Sequence, residues 1–177
     1  MINGSFGVGK TTTAQVLVER LANAMLFDPE DVGRMVRHIT RDVRYAAEET
    51  DDFQDIALWR SLTVAVAEHL YRQYRRTLIV PMTLTNPAYF HEIRSGFTCI
   101  GPPVYYFCLT ASLTTIHRRL IERGDVEGAW PWRKAGQCVP ALSGPPFEEY
   151  ISTEGRSVEE VVADILCSLP AVATSRI

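Results

Sequence analysis

Gly4-Ser5-Phe6-Gly7-Val8-Gly9-Lys10-Thr11 fits the spacing G-x-x-x-x-G-K-[ST], the pattern of a loop that cradles nucleotide phosphates. Each residue type in it has a physical task. Glycines let backbone N–H groups curl around an anion without a Cβ in the way. The helix that follows points its positive end at the same anion. The Lys10 ammonium can reach the β- and γ-phosphates, and the Thr11 hydroxyl can ligate Mg²⁺. Ser5, Phe6, Val8 and Thr12 complete the cradle by position. These residues predict a nucleoside triphosphate site, with ATP and Mg²⁺ as its ligands.

Three other groups of residues carry chemistry. The apolar run Leu78-Ile79-Val80-Pro81-Met82-Thr83 ends without an acid, and the guanine-reading Asn-Lys-x-Asp pattern is absent. Both facts argue against a motor or a switch GTPase. Small-molecule kinases often carry their carboxylate after the second strand, where Asp28 stands. It could take a proton from an acceptor hydroxyl or hold a Mg²⁺-bound water, and it also stands where a helix cap belongs. Residues 118–134 hold Arg118, Arg119, Arg123, Arg133 and Lys134 against Glu122, Asp125 and Glu127. Arg119 and Arg123 share a helix face, and the glycine-rich stretch beyond them suggests a lid over about residues 118–138. Arginines closing over a transferring phosphoryl group contribute roughly 10³–10⁵ in rate; the other reading is a solvated cationic helix. Finally, Asp51-Asp52-Phe53-Gln54 leads into Leu58-Trp59-Arg60, a set that could line an acceptor pocket with a partly apolar wall. Thr83 is a further candidate for that pocket, while Trp59 by itself fits core packing.

These groups need elements to position them. Apolar spacing gives strands at Met1–Asn3, Met25–Phe27, Leu78–Val80, Val104–Leu109 and Tyr150–Ile151. Helices alternate with them. One carries Ala14, Leu17, Val18 and Leu21. A second starts at Asp28-Pro29 and turns Val32, Met35, Val36 and Ile39 inward. A third spans Asp55–Tyr74, with Leu58, Trp59, Leu62, Val66 and Leu70 facing the core. Asn86-Pro87 opens a fourth, Ser112 caps a fifth, and Ser157 with Glu160 forms a capping box for the last. Strands alternating with helices imply a parallel sheet covered on both faces, with ligands bound beyond the carboxyl ends of its strands. Only three residues precede Gly4, so either the first strand is unusually short or the natural start lies upstream.

The chain has 177 residues, 46% apolar and 22% charged, with a net charge of −3. That fits one domain covering residues 1–177 and excludes disorder. It also argues against an obligate nucleic-acid binder, which carries a basic surplus. No apolar run approaches the roughly 20 residues that span a bilayer, so a cytoplasmic protein is expected. Cys99, Cys108, Cys138 and Cys167 make no CxxC pair, which points to reduced thiols rather than a metal site.

Ile2–Thr11 (INGSFGVGKT), Asp28–Glu30 (DPE), DDFQ with LWR through Arg60, and Leu78–Thr83 (LIVPMT) together resemble the bacterial tunicamycin-resistance proteins. Arg119–Arg123 (RLIER) and Cys138–Glu148 (CVPALSGPPFE) match in kind and order, so the resemblance covers almost the whole chain. It implies an α/β fold of phosphate-loop nucleotide-kinase type: a three-layer αβα sandwich whose five-stranded parallel sheet runs 2-3-1-4-5, with a helical lid. It also implies an ATP-binding protein that protects cells against tunicamycin, a nucleoside antibiotic with a fatty-acyl tail, by phosphorylating the drug or by binding it. A monomer or homodimer is expected. The family associates with membrane through a C-terminal amphipathic extension. Residues 170–177 are too short for such a helix, so membrane association is not expected.

Overall fold

The computed structural model describes residues 1–170. Along the chain these form β1 (Ile2–Gly4), α1 (Lys10–Arg20), β2 (Ala24–Leu26), α2 (Pro29–Ile39), α3 (Ala57–Tyr74) and β3 (Thr77–Ile79). The second half supplies α4 (Pro87–Cys99), β4 (Phe107–Thr110), α5 (Leu113–Glu122), α6 (Trp130–Ala141), β5 (Tyr150–Ser152) and α7 (Val158–Ser168). The expected end of the chain falls on residues 171–177, outside the described residues. No helix among the described residues is long and apolar enough to cross a membrane.

Strand alternation explains the layers. Successive side chains of a strand point to opposite faces, so Tyr106 and Cys108 enter one apolar cluster while Phe107 and Leu109 enter the other. The first cluster also holds residues of α2, α3 and α4, and the second residues of α1, α5 and α7. Helices therefore cover both faces of the sheet, as a parallel sheet requires. All strand pairs are parallel: β1 pairs β4, β4 pairs β5, and β2 pairs β3.

The sheet expected as one continuous piece is divided into a three-stranded part, β1-β4-β5, and a two-stranded part, β2-β3. The parts meet at a single parallel bridge between Ile2 and Pro81. There Ile2 N donates to Val80 O at 2.9 Å and Met82 N donates to Ile2 O at 3.0 Å. Two residue types limit the pairing. Phe27 N donates to Ile79 O, and the next rung would need an N–H at residue 81, which proline lacks. On the other side, the Asn3 amide takes the bonds that further β1–β3 rungs would use.

Several inward faces are narrower than expected. On α2, Val32 and Val36 are buried but Met35 and Ile39 are 44% and 60% exposed. Gly33 is buried with Val36 instead, and helix α3 covers only that strip. On α3 the buried line is Trp59, Thr63 and Ala67, while Leu58 is exposed. Small residues at these contacts let helices approach: a Cβ on Gly96 of α4 would lie 2.6 Å from Val64 of α3. The third helix starts at Ala57 rather than Asp55, because Asp52 caps a 3₁₀ turn over Phe53–Asp55 first. All four cysteines are free thiols. Burial pushes both Cys108 and Cys138 up to about 11, so they are inert at neutral pH.

Candidate active site

The phosphate loop joins β1 to α1. Gly4 (φ +152°) admits no side chain, since a Cβ there would lie 2.8 Å from both Leu109 O and Val8 Cγ1. Gly9, in the left-handed region at φ +105°, is the N-cap of α1, and no side chain caps that helix end. The first turn also holds no acid. Its N–H groups and its positive end are thus left for an anion. Among the described residues the Ser5 hydroxyl is buried with no partner beyond the nearby Cys138 thiol. An uncapped helix end, an orphan hydroxyl and a lysine are what a chain of phosphates would satisfy.

Lys10 Nζ donates to Ser5 O at 2.8 Å and lies 5.4 Å from the centre of the Phe6 ring. Burial lowers its pKa to about 8, because a buried charge loses its hydration. Thr11 and Thr12 are exposed at the start of α1.

Asn3 fixes the loop from below, and sequence reasoning missed it. Its fully buried side chain accepts from Gly4 N and Leu84 N, both at 2.9 Å. It donates to Leu84 O at 2.9 Å and to the Tyr106 hydroxyl at 3.2 Å. Thr83 adds a hydrogen bond from its hydroxyl to Gly4 O at 3.0 Å. The signal was a lone asparagine inside an otherwise apolar strand.

The two arginines of α5 are placed differently. Arg119 donates to Thr153 Oγ1 at 2.8 Å, Thr153 O at 2.7 Å and, more weakly, Val8 O at 3.4 Å. It ties the phosphate loop to the segment after β5. Arg123, at the C-terminus of α5, pairs with Asp125 at 2.7 Å on the exposed side, and its charge is felt at Lys10.

Beside the loop lies a cleft of about 380 Å³. Asp52, Gln54, Trp59 and Thr83 line it, and Phe6 of the phosphate loop forms its border. Gln54 organises one wall: its Oε1 accepts from Thr85 N at 3.0 Å and its Nε2 donates to Asp52 Oδ2 at 2.9 Å. Arg60 stands behind, donating to Gln54 O at 2.6 Å, pairing with Glu92 at 2.6 Å and lying 3.9 Å over Tyr89. Trp59 reaches Pro29 O at 2.8 Å through its Nε1. Phe53 stacks on Trp59 with ring centres 6.4 Å apart. That placement depends on Gly33, where a Cβ would lie 2.6 Å from the Phe53 ring. Asp28 caps α2, its Oδ1 accepting from Glu30 N at 2.9 Å, with no hydrogen bond to its second oxygen among the described residues, and it does not itself line the cleft. The neighbouring Pro29 and Glu30 line the cleft.

The far wall is helix α6, which sequence reasoning read as an irregular stretch. Trp130 sits edge-on to Phe6 at 4.8 Å and donates to Asp51 Oδ2 at 2.6 Å. Lys134 pairs with Asp51 at 3.0 Å and Asp52 at 3.5 Å. The hydrogen bond from Lys134 holds the Asp51 carboxyl below its ordinary value. Burial works against the Lys134 charge, but its hydrogen bonds to Asp51 and Asp52 and their attraction together outweigh this and raise its pKa. Trp132 instead stacks on His117 of α5, rings 3.6 Å apart, and Arg133 turns outward to Gly128 O at 2.6 Å.

Residues 1–131 match the family model described as an AAA domain. No curated protein matches the chain. Among solved structures, the tunicamycin resistance protein of Deinococcus radiodurans superposes with a TM-score of 0.76 at 30% identity, over 96% of this chain and 94% of that one. A gluconokinase from Sinorhizobium meliloti gives a TM-score of 0.66 at 16% identity, over 97% of this chain and 91% of that one. A sugar kinase from a Janibacter species gives 0.64 at 18%, over 98% and 96% of the two chains. The last two likenesses show the fold alone.

Proposed function

The chain belongs to the AAA-domain family and, among its kinase-like phosphate-loop members, to the tunicamycin-resistance proteins, and from that premise we propose that it transfers the γ-phosphoryl group of Mg·ATP to a hydroxyl of tunicamycin or a related small molecule. The observation that carries this reading is continuity. Phe6 belongs both to the phosphate loop and to the rim of the 380 Å³ cleft, so an acceptor there adjoins the end of a triphosphate held by Lys10.

In the proposed reaction, the uncapped end of α1 and the N–H groups of Gly4–Thr12 hold the phosphates. Lys10 balances charge on the transferring group, and Thr11 would ligate Mg²⁺, which supplies further charge neutralisation when bound. Asp28 takes the proton from the acceptor hydroxyl through its free carboxylate oxygen. The acceptor oxygen bonds to the γ-phosphorus as that atom's bond to the β–γ bridging oxygen breaks. Arg123 supplies charge from the lid; Arg119 holds the loop in place; Arg133 and Lys134 belong to the lid's outer and inner faces. Asp52, Gln54 and Trp59 contact the acceptor, backed by Arg60 and Thr83.

Mass spectrometry of tunicamycin incubated with the protein and Mg·ATP tests this. A drug heavier by one phosphate, together with ADP, is expected. Neither product, with tight ATP-dependent drug binding, would replace catalysis with sequestration. Stabilisation by a common metabolite but not by the drug would point to a housekeeping kinase.

A further inference from the structure

We infer that the cavity at the amino end of the sheet is a strand site: it takes about three extended, apolar residues peptide-bonded to Met1, running between β3 and β4 as a backward continuation of β1. The inference is independent of the reading of the acceptor cleft.

The cavity has a volume of about 460 Å³ and lies in the plane of the sheet. Leu17 of α1 and Ile165 of α7 line it from one helical layer, and Ala67 of α3 and Phe97 of α4 from the other. Between the layers it is bounded by Leu78 and Val80 on the β3 side and by Tyr105, just ahead of β4, on the other. Met1 lines it as well.

The hydrogen bonds show which backbone groups face it. Ile2 N donates to Val80 O at 2.9 Å, and Phe107 N donates to Met1 O at 3.0 Å. The Met1 α-amino group donates to Tyr105 O at 2.7 Å. β3 bonds β2 through Thr77, whose N–H donates to Asn23 O at 2.7 Å, and through Ile79, whose carbonyl accepts from Phe27 N at 2.9 Å. Alternate residues of a parallel strand bond opposite neighbours, so the N–H and C=O of Leu78 point away from β2 toward the cavity. Val80 N and Tyr105 N have no backbone partner among the described residues. In the register of β1, a residue joined to Met1 would donate to Leu78 O and accept from Val80 N. The residue before it would accept from Tyr105 N, and the third from Leu78 N. Three residues at about 3.3 Å each therefore use all four groups.

An alkyl chain could fill the same volume but would leave these polar groups unpaired. The Met1 amine points to the same occupant. Burial lowers its pKa to about 5, so it is neutral at pH 7, and a peptide N–H in its place would keep the bond to Tyr105 with no charge to desolvate. Both layers are apolar here, so the segment is apolar on both faces, as buried parallel strands are.

Amide hydrogen exchange of the full chain gives the first test: Val80 and Tyr105 are expected to exchange at least about tenfold faster than the bonded Ile2 and Phe107. Three extended forms then carry Val-Ile-Val, Ser-Gly-Ser or Val-Ile-Pro ahead of Met1, each released from a cleavable leader. Val-Ile-Val should slow the Val80 and Tyr105 amides at least about tenfold and raise the melting temperature by several degrees over Ser-Gly-Ser. Both convert the amine to an amide, so their difference reports the strand itself. Val-Ile-Pro has similar bulk but lacks the N–H that Leu78 O would accept, and should lose most of the gain. Equal protection of the four amides in the unextended chain, no slowing by Val-Ile-Val, or the same gain from Val-Ile-Pro overturns the inference; the last result would make the cavity a site for apolar bulk alone.

Discussion

Replacing Lys10 by methionine separates what the fold wants from what the site needs. Burial lowers the Lys10 pKa from 10.5 to about 8. Each pKa unit corresponds to about 1.4 kcal/mol, so holding the buried charge costs at most about 3.5 kcal/mol at pH 7. Part of the side chain is exposed, which screens the cost, and the bond to Ser5 O at 2.8 Å is worth about 1 kcal/mol. Lys10→Met keeps the apolar stem and should therefore stabilise the ligand-free protein by about 1–2 kcal/mol. Differential scanning calorimetry should show a melting temperature higher by roughly 2–8 °C. The gain should shrink with pH. Between about pH 8 and 10.5 the folded wild type has released the Lys10 proton while its unfolded chain still holds it, so wild-type stability rises across that window. Saturating Mg·ATP at about 100 times its dissociation constant should add roughly 2.7 kcal/mol to the wild type and nothing to the variant. A variant that melts below the wild type at pH 7, or that ATP still stabilises, would refute the reasoning.

The same pKa makes ATP affinity pH-dependent: phosphates restore the Lys10 proton, so affinity should fall above about pH 8, with proton uptake visible by calorimetry in buffers of different ionisation enthalpy. Asn3→Ala removes the partner of Gly4 N, Leu84 N and Leu84 O. At about 1–3 kcal/mol per orphaned group, partly relieved by relaxation, denaturant titration should show a loss of about 3 kcal/mol and weaker ATP binding. Gly33→Ala gains up to about 1 kcal/mol of helix propensity but displaces Phe53. Stability should change little, while KM for the acceptor rises about tenfold and KM for ATP stays fixed. Arg123→Ala should lower kcat far more than ATP affinity; equal losses in both would make it a binding residue.

The phosphate loop and the order of strands and helices were legible because each rests on local spacing. Caps at Asp28, Asn86, Ser112 and Ser157 each accept the expected backbone N–H. Helix α6 was not legible, and the reason is its inward face. The buried residues are Ala135 and Cys138, with Leu142 just beyond, too small to print an apolar period, and Pro131, Gly136 and Pro140 interrupt the pattern. The division of the sheet was equally hidden, since it depends on the Asn3 amide claiming Gly4 N and Leu84 N, which the next β1–β3 rung would use. Asp52, Gln54 and Trp59 were legible as a group only because they are adjacent in sequence. Their connection to Lys134 and Trp130, some eighty residues away, belongs to tertiary structure.

Arg119 also decides where the molecule can bend. By bonding to Thr153 and Val8 it welds the start of the expected lid to the static half of the protein. On the lid reading, the segment that swings would begin beyond Arg123. Its pivots are Gly124 at φ +98° and Gly128 at φ +75°, conformations that cost glycine little. A rotation about that short segment would lift Trp130 and Lys134 from Phe6 and the two aspartates together. On that reading, opening would have to break four contacts together, Trp130 with Phe6 and Asp51 and Lys134 with Asp51 and Asp52, and also strip the Trp132–His117 stack and the burial of Ala135 and Cys138.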